Sequence, residues 1–354
     1  MSVPPGYRGP VTALAPLLQL PGMAEELHRI EAALRASVVT ADPFLTEMTT
    51  HLVAAGGKRW RPALAVAAGS CGGDGGPVSD EVVLGGVAVE LVHLGSLYHD
   101  DVMDEAATRR GVESVNARWG NLRAILAGDF LLAKASEIAA SLGTEVAALL
   151  AATIGDMCAG QVRELQTAYD AGRDEDQYLA AIDGKTASLS AAACRIGALV
   201  AGLPRPQVEA FTTFGRRFGM AFQIVDDVLD VVATDEQLGK PAGNDLAEGV
   251  YTLPVIRALA APGGAPELAA LLGRPLQPVE IDQARALVQA DTAVTGALEV
   301  AGRYCEEAVA SVAGLDCPGA GDLVSTANAL LETVPTAGST TPTGPWSTPS
   351  TTTT

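Results

Sequence analysis

Two aspartate clusters of the same spacing stand far apart in the chain. One is "HDDVMD", with Asp100, Asp101 and Asp104; the other is "VDDVLD", with Asp226, Asp227 and Asp230. On a helix, residues four apart share a face and the neighbouring residue lies about 100° round it. Each cluster therefore presents two carboxylates side by side, and left bare such a face repels itself. Hard divalent cations relieve the repulsion, since magnesium takes oxygen ligands, keeps much of its water, and bridges one or two carboxylates to phosphate oxygens. The second cluster is set among Phe222, Ile224, Val225, Val228 and Leu229, which would make poor solvated surface. Two such clusters facing each other across a bundle cavity are tolerable when several divalent ions and a polyanion lie between them.

Basic residues near both clusters supply a polyanion's other contacts. Arg109 and Arg110 fall at or beyond the end of the first acidic helix, and guanidinium forks suit phosphate oxygens. "GGKRWRP" sets Lys58 and Arg61 three apart, with Pro62 fit to open a helix; "IDGKTASL" places Lys185 beside Gly184, and "LGKP" offers Lys240 after the second cluster. His93 lies two turns before Asp100 on nearly the same face, which points it toward the same space. His99 adjoins the cluster and points elsewhere, while His28 and His51 carry no signal. "GKT" at 184–186 is not a phosphate loop, because the glycine that motif needs five residues earlier is Leu179.

What must position these groups is helical. Ala, Leu and Val are abundant, aromatics are 4%, and apolar residues recur at three and four spacing from about Met23 to Leu331. "EVVLGGVAVELVHLGSLYH" and "ASLSAAACRIGALVAG" are apolar on most sides, as central helices of a large bundle are, with small residues permitting close approach. We expect one all-α domain over residues 21–335, a flexible segment over 1–20, and a disordered tail over 336–354, where "TAGSTTPTGPWSTPSTTTT" offers almost nothing to a core.

A net charge of −19 opposes binding to nucleic acid or to anionic membrane surfaces. The longest uncharged apolar stretches reach about half the ~20 residues a membrane span needs, and the start lacks a signal-peptide pattern, so a cytoplasmic protein is expected. Five scattered cysteines, Cys71, Cys158, Cys194, Cys305 and Cys317, read as reduced and mostly buried thiols rather than disulfides or zinc ligands.

In this order, GGKRxRP, HDDxxD followed by RRG, GKT, and FQxxDD with GKPxGxD, the motifs from about Leu45 to Arg257 resemble the trans-isoprenyl diphosphate synthases, or polyprenyl synthetase family. "LYHDDVMDEAATRRG" with "NARWGNLRAILAGDFLLAKAS" is most similar to actinobacterial polyprenyl diphosphate synthases. The resemblance implies an all-α bundle of the isoprenoid synthase type around a deep central cavity, usually a homodimer, using three magnesium ions. It also implies head-to-tail joining of isopentenyl diphosphate to an allylic diphosphate such as farnesyl or geranylgeranyl diphosphate. By the same resemblance Asp100, Asp104 and Asp226 ligate metal, and Asp101, Asp227 and Asp230 support ligation directly or through water. Arg109, Lys185, Thr186, Gln223 and Lys240 match the allylic diphosphate site; Lys58, Arg61, His93 and Arg110 match the isopentenyl diphosphate site. The implied chemistry is ionisation of the allylic C–O bond, attack by the isopentenyl double bond, and loss of a proton to the released diphosphate. That needs electrostatic preorganisation and a dry pocket more than a protein nucleophile.

The fourth and fifth residues before the first aspartate act as a cavity floor in that family, and here they are Ser96 and Gly95. Both are small, which points to a long product; the bland alternative is that they merely let helices pack closely. Tyr98 is bulky and near enough to narrow the cavity, and Gln161 stands where the family often has glutamate. A geranylgeranyl or farnesyl diphosphate synthase is the nearest rival reading. A class I terpene cyclase fits less well, because "NDLAEGVYT" has Glu248 and Thr252 where its second metal motif needs serine and glutamate. A non-catalytic partner subunit fits poorly with six retained aspartates.

Overall fold

The computed structural model describes residues 14–18, 20–73, 75–238, 241–261, 265–290 and 292–334. Strong helix formers and the three-and-four apolar rhythm yield an all-α architecture, with thirteen helices of eight residues or more among these residues. In chain order they are α1 (Met23–Ser37), α2 (Pro43–Ala54), α3 (Trp60–Gly69), α4 (Asp80–Met103), α5 (Asn121–Ser141), α6 (Thr144–Gln166) and α7 (Glu175–Ile182). A π-helical turn, Asp183–Ala187, joins α7 to α8 (Ser188–Val200), and then come α9 (Arg205–Val232), α10 (Leu253–Ala260), α11 (Pro278–Gln289), α12 (Ala293–Val312) and α13 (Pro318–Leu330).

Helices α3, α4, α8 and α9 form the centre. Their apolar residues are buried on nearly every side, and aromatic rings of α9 (Phe214, Phe218, Phe222) stack in a row that ends on Trp60 of α3. A smaller cluster around Val231, Tyr251, Leu268 and Val288 secures the segment after the second aspartate cluster. Ser79 caps α4 by accepting from Val82 N, and α4 ends at Met103 with Asp104 as its C-cap. After it, Thr108–Arg109 and Val112–Glu113 pair as a short hairpin, turned by Arg110 and Gly111, both with positive φ.

Several expectations need correction. Leu14, Leu17 and Leu20 are buried in the core, so the packed body starts before residue 21; the proposed tail 336–354, and Lys240, lie outside the described residues. Cys71 and Cys317 form a disulfide with Cα atoms 5.3 Å apart, which ties the stretch after α3 to the start of α13 across 246 residues. Cys158 is exposed, and only Cys194 and Cys305 are buried thiols. Two helices, Asp80–Met103 and Thr144–Gln166, are long and apolar enough for a membrane span by length and composition, because helices run through the charged residues that interrupt the apolar stretches. In the first, 72% of the most apolar window is buried inside the protein, so its apolarity serves the core; in the second the share is 28%.

Candidate active site

The first aspartate cluster occupies the last turn of α4 and its cap. The carbonyl end of a helix is the wrong place for negative charge, because aligned peptide dipoles leave it partly negative. Asp100 is raised to about 6 by burial, with Asp104 reinforcing and Lys185 opposing the shift. Burial likewise lifts Asp101 and Asp104. Asp101 is fully buried; its Oδ1 accepts from Arg109 Nε at 2.6 Å and its Oδ2 has no partner among the described residues. The hairpin after α4 is what folds Arg109 back onto Asp101.

The second cluster lies near the end of α9. A relay of side chains connects it to the π-helical turn: Thr186 Oγ1 donates to Gln223 Oε1 at 2.7 Å, and Gln223 Nε2 donates to Asp227 Oδ1 at 2.8 Å. Tyr178 of α7 donates to the other oxygen, Asp227 Oδ2, at 2.6 Å. Burial raises the Asp227 carboxyl well above its usual range, against these two hydrogen bonds. Asp230 is turned to the following loop, its Oδ2 accepting from Asp245 N at 3.1 Å and its carbonyl from Gly243 N at 2.9 Å.

The π-helical turn, a form often found at functional sites, reaches toward both clusters. Gly160 of α6 makes this possible, since a Cβ there would lie 2.4 Å from Lys185 N. The close approach brings Lys185 Nζ within 2.6 Å of Glu164 Oε1. Lys185 is also within electrostatic reach of Asp100 and Asp104, and Glu164 within reach of Asp100 and Asp227. The two clusters therefore share one region.

A third group of residues adjoins them. Arg110 donates from Nη1 to the Gly56 carbonyl, and its Nη2 stands 3.5 Å from His93 Nε2. The Arg61 guanidinium lies 4.4 Å above the Trp60 ring; burial, with Arg110 adding to it and Glu90 opposing, brings it down to about 10. Burial and then Arg61 and Arg110 push His93 well below its ordinary range, so it stays neutral. Lys58 is brought down to about 8 by burial, partly offset by Asp226 of the second cluster. Arg61, His93 and Arg110 thus adjoin one another, with Lys58 within electrostatic reach of Asp226, while Arg109 bonds Asp101, Lys185 bonds Glu164, and Thr186 and Gln223 lead to Asp227.

Sequence reasoning missed the residues that hold these groups. Arg59, the middle cation of "GGKRWRP", is buried and ion-paired to Glu90 at 2.9 Å and Glu31 at 3.0 Å; it fixes the loop rather than facing a ligand. Glu164, three residues after Gln161, and Tyr178, seven before Lys185, had only their spacing from those residues to mark them. Tyr98 is fully buried and donates to the Met48 carbonyl at 2.6 Å, which points it at α2. His99 leans on α5 beside the Ile125 carbonyl and Asp129. Gly95 packs against α5, where a Cβ would meet the Gly128 carbonyl and Leu132 at 3.1 Å. At that position the helix-packing reading holds. Ser96 stays small, its hydroxyl bonded to the His93 carbonyl on its own helix.

The donor set suits magnesium. It is all hard oxygen, burial raises the carboxyls of Asp100, Asp101 and Asp104, and one buried oxygen of Asp101 has no partner among the described residues. Among the described residues no three His, Cys, Asp or Glu side chains converge closely enough to hold a metal alone. Magnesium at one or two carboxylates, completed by water and substrate phosphates, needs no such convergence.

The model of the polyprenyl synthetase family matches residues 42–289. The chain is 40% identical over 294 residues to the nonaprenyl diphosphate synthase of Mycobacterium tuberculosis, covering 82% of this chain and 87% of that one. Among solved structures it resembles a decaprenyl diphosphate synthase from Rhodobacter capsulatus, with a TM-score of 0.82, 34% identity, and 90% and 99% of the two chains covered. A polyprenyl synthase from Caulobacter crescentus, solved with calcium and isoprenyl diphosphate, gives a TM-score of 0.83 at 32% identity, covering 92% and 99%.

Proposed function

The chain belongs to the polyprenyl synthetase family, and from that premise we propose how its residues carry out the joining of isopentenyl diphosphate, head to tail, to an allylic diphosphate. The observation that carries the reading is the sharing of one region by both aspartate clusters, Lys185 and the Lys58–Arg61–His93–Arg110 group.

Asp100 and Asp104 on one side, and Asp226 on the other, are the residues that would hold magnesium, with Asp101, Asp227 and Asp230 supporting them directly or through water. Bound magnesium supplies Lewis-acid neutralisation of the allylic diphosphate, which makes it a better leaving group. Lys185, Thr186, Gln223 and Arg109 orient that diphosphate, and Lys240 joins them by sequence. Lys58, Arg61 and Arg110 receive the diphosphate of the isopentenyl substrate, with neutral His93 beside them. The aromatic row from Trp60 to Phe214 keeps the surroundings dry, which strengthens every charge interaction in the site. The isopentenyl double bond is the nucleophile that forms the new C–C bond and the released diphosphate takes the proton that is lost, so neither a protein nucleophile nor a protein base is called for.

A long all-trans product, from hexaprenyl to decaprenyl, is supported by the names of the nonaprenyl and decaprenyl relatives and by the small Ser96. A homodimer belongs to the reading, supported by exposed Leu122, Ile125 and Leu126 on α5 and Val162 and Leu165 on α6, large apolar side chains that a second copy would cover. A cytoplasmic setting also belongs to it, with the Cys71–Cys317 bond then open to reduction. The test is incorporation of labelled isopentenyl diphosphate into an acid-labile product, which should require both an allylic primer and magnesium and be abolished in Asp100→Ala.

A further inference from the structure

Arg173 lies in the turn between α6 and α7. It is only 4% exposed. Its Nη1 donates to the Tyr251 carbonyl at 3.0 Å, and its guanidinium lies 5.5 Å from the centre of the Tyr178 ring. Tyr178 is the residue whose hydroxyl holds Asp227. Nε and Nη2 of Arg173 are buried and bond to nothing among the described residues. The charged groups that act on it are Glu164, Asp227 and Asp245, yet it forms no ion pair with any of them.

A buried guanidinium with two unused donors is costly to keep. Among the described residues none of those carboxylates accepts a hydrogen bond from it. Arg173 instead braces two elements that meet at the second cluster. Its own turn is fixed by the Asp174–Gln177 capping box at the start of α7. The same turn is tied to the loop carrying Asp245 by Tyr169 N donating to the Gly249 carbonyl at 2.8 Å. It therefore attracts the acids without occupying their oxygens.

We propose that Arg173 is a positioning residue for the second aspartate cluster, holding Tyr178 and the Asp245 loop so that Asp227 and its neighbours receive the magnesium–diphosphate assembly. This rests on the function proposed above for the site. The test is calorimetric titration of inorganic diphosphate with magnesium into wild type, Arg173→Gln and Arg173→Lys, with thermal melts of each free protein and kcat and KM for both substrates. Residues that support metal ligands typically change affinity by about 10- to 100-fold when altered. Arg173→Gln is expected to weaken magnesium–diphosphate binding by that factor and raise the allylic KM in step. The isopentenyl KM should stay within about twofold, far below that range, and Arg173→Lys should recover part of the loss. Equal diphosphate binding in wild type and in a folded variant would overturn the proposal alone. So would equal changes in both KM values that track a lowered melting temperature. Failure of the wild type to bind magnesium–diphosphate would overturn it together with the reading of the site.

Discussion

Lys185 Nζ and Glu164 Oε1 stand 2.6 Å apart, joining the π-helical turn to α6 at the place where Asp100 and Asp104 end α4. The pair holds a cation beside the first aspartate cluster without letting it fall onto Asp100. Glu164 fixes the position of Lys185, which in the proposed function meets a substrate phosphate.

Replacing Lys185 with Ala should raise the KM for the allylic diphosphate by about 10- to 100-fold, as expected for a charge-assisted hydrogen bond of about 1.5–3 kcal/mol. The KM for isopentenyl diphosphate should change much less. Steady-state kinetics with each substrate varied in turn checks this, and equal changes in both would place Lys185 outside the allylic side.

Asp100 links function to pH-dependent stability. Its folded pKa, about 6, lies above the ordinary value of 3.8, chiefly through burial. The unfolded chain gives up this proton first, so the group's contribution to stability is full below about 3.8 and is lost as pH rises through about 6. Asp100→Asn cannot ionise there, so without magnesium or diphosphate it should melt at a higher temperature than wild type at neutral pH while being inactive. The gap should close as pH falls; a gap that does not vary with pH contradicts the assignment.

The Cys71–Cys317 bond closes a segment of 246 residues. Closing so long a segment restricts the unfolded chain, and removing such a bond typically costs about 2–4 kcal/mol. Reductant, or Cys71→Ser, should lower the denaturant midpoint by a corresponding amount. Activity at low temperature should be unchanged, since neither cysteine adjoins the site residues. Denaturation followed with and without reductant decides it.

Gly95 and Ser96 should behave differently when enlarged. Gly95→Ala pushes a methyl group toward the Gly128 carbonyl and Leu132, which should cost about 1–3 kcal/mol as an overpacked contact and leave product length unchanged. Ser96→Phe should shorten the product. Chromatographic sizing of the products of both variants separates packing from floor.

Much of this was legible before the fold was known. The helix rhythm fixed the all-α class, and the repeated DDxxD spacing with its cations marked the side chains proposed to face substrate, because both are local patterns. The residues that support them were not legible, because their partners are distant in sequence. Arg59 reads as one more cation of its motif until Glu90 and Glu31 are seen around it. Tyr98 could have faced the cavity or α2, and only the Met48 carbonyl decides between them. Cys71 and Cys317 are too far apart in the chain for spacing to pair them. Gly95 illustrates a different limit, since a missing side chain fits a tunnel floor and a close helix contact equally well, and the neighbour across the gap settles which.

The most direct measurement is to incubate the purified chain alone with farnesyl diphosphate, isopentenyl diphosphate and magnesium and to size the products. The account predicts an all-trans series extending to hexaprenyl length or beyond, absent in Asp100→Ala. No elongation at all would contradict the assignment of the site, and a product that stops at geranylgeranyl length would contradict the proposed long chain.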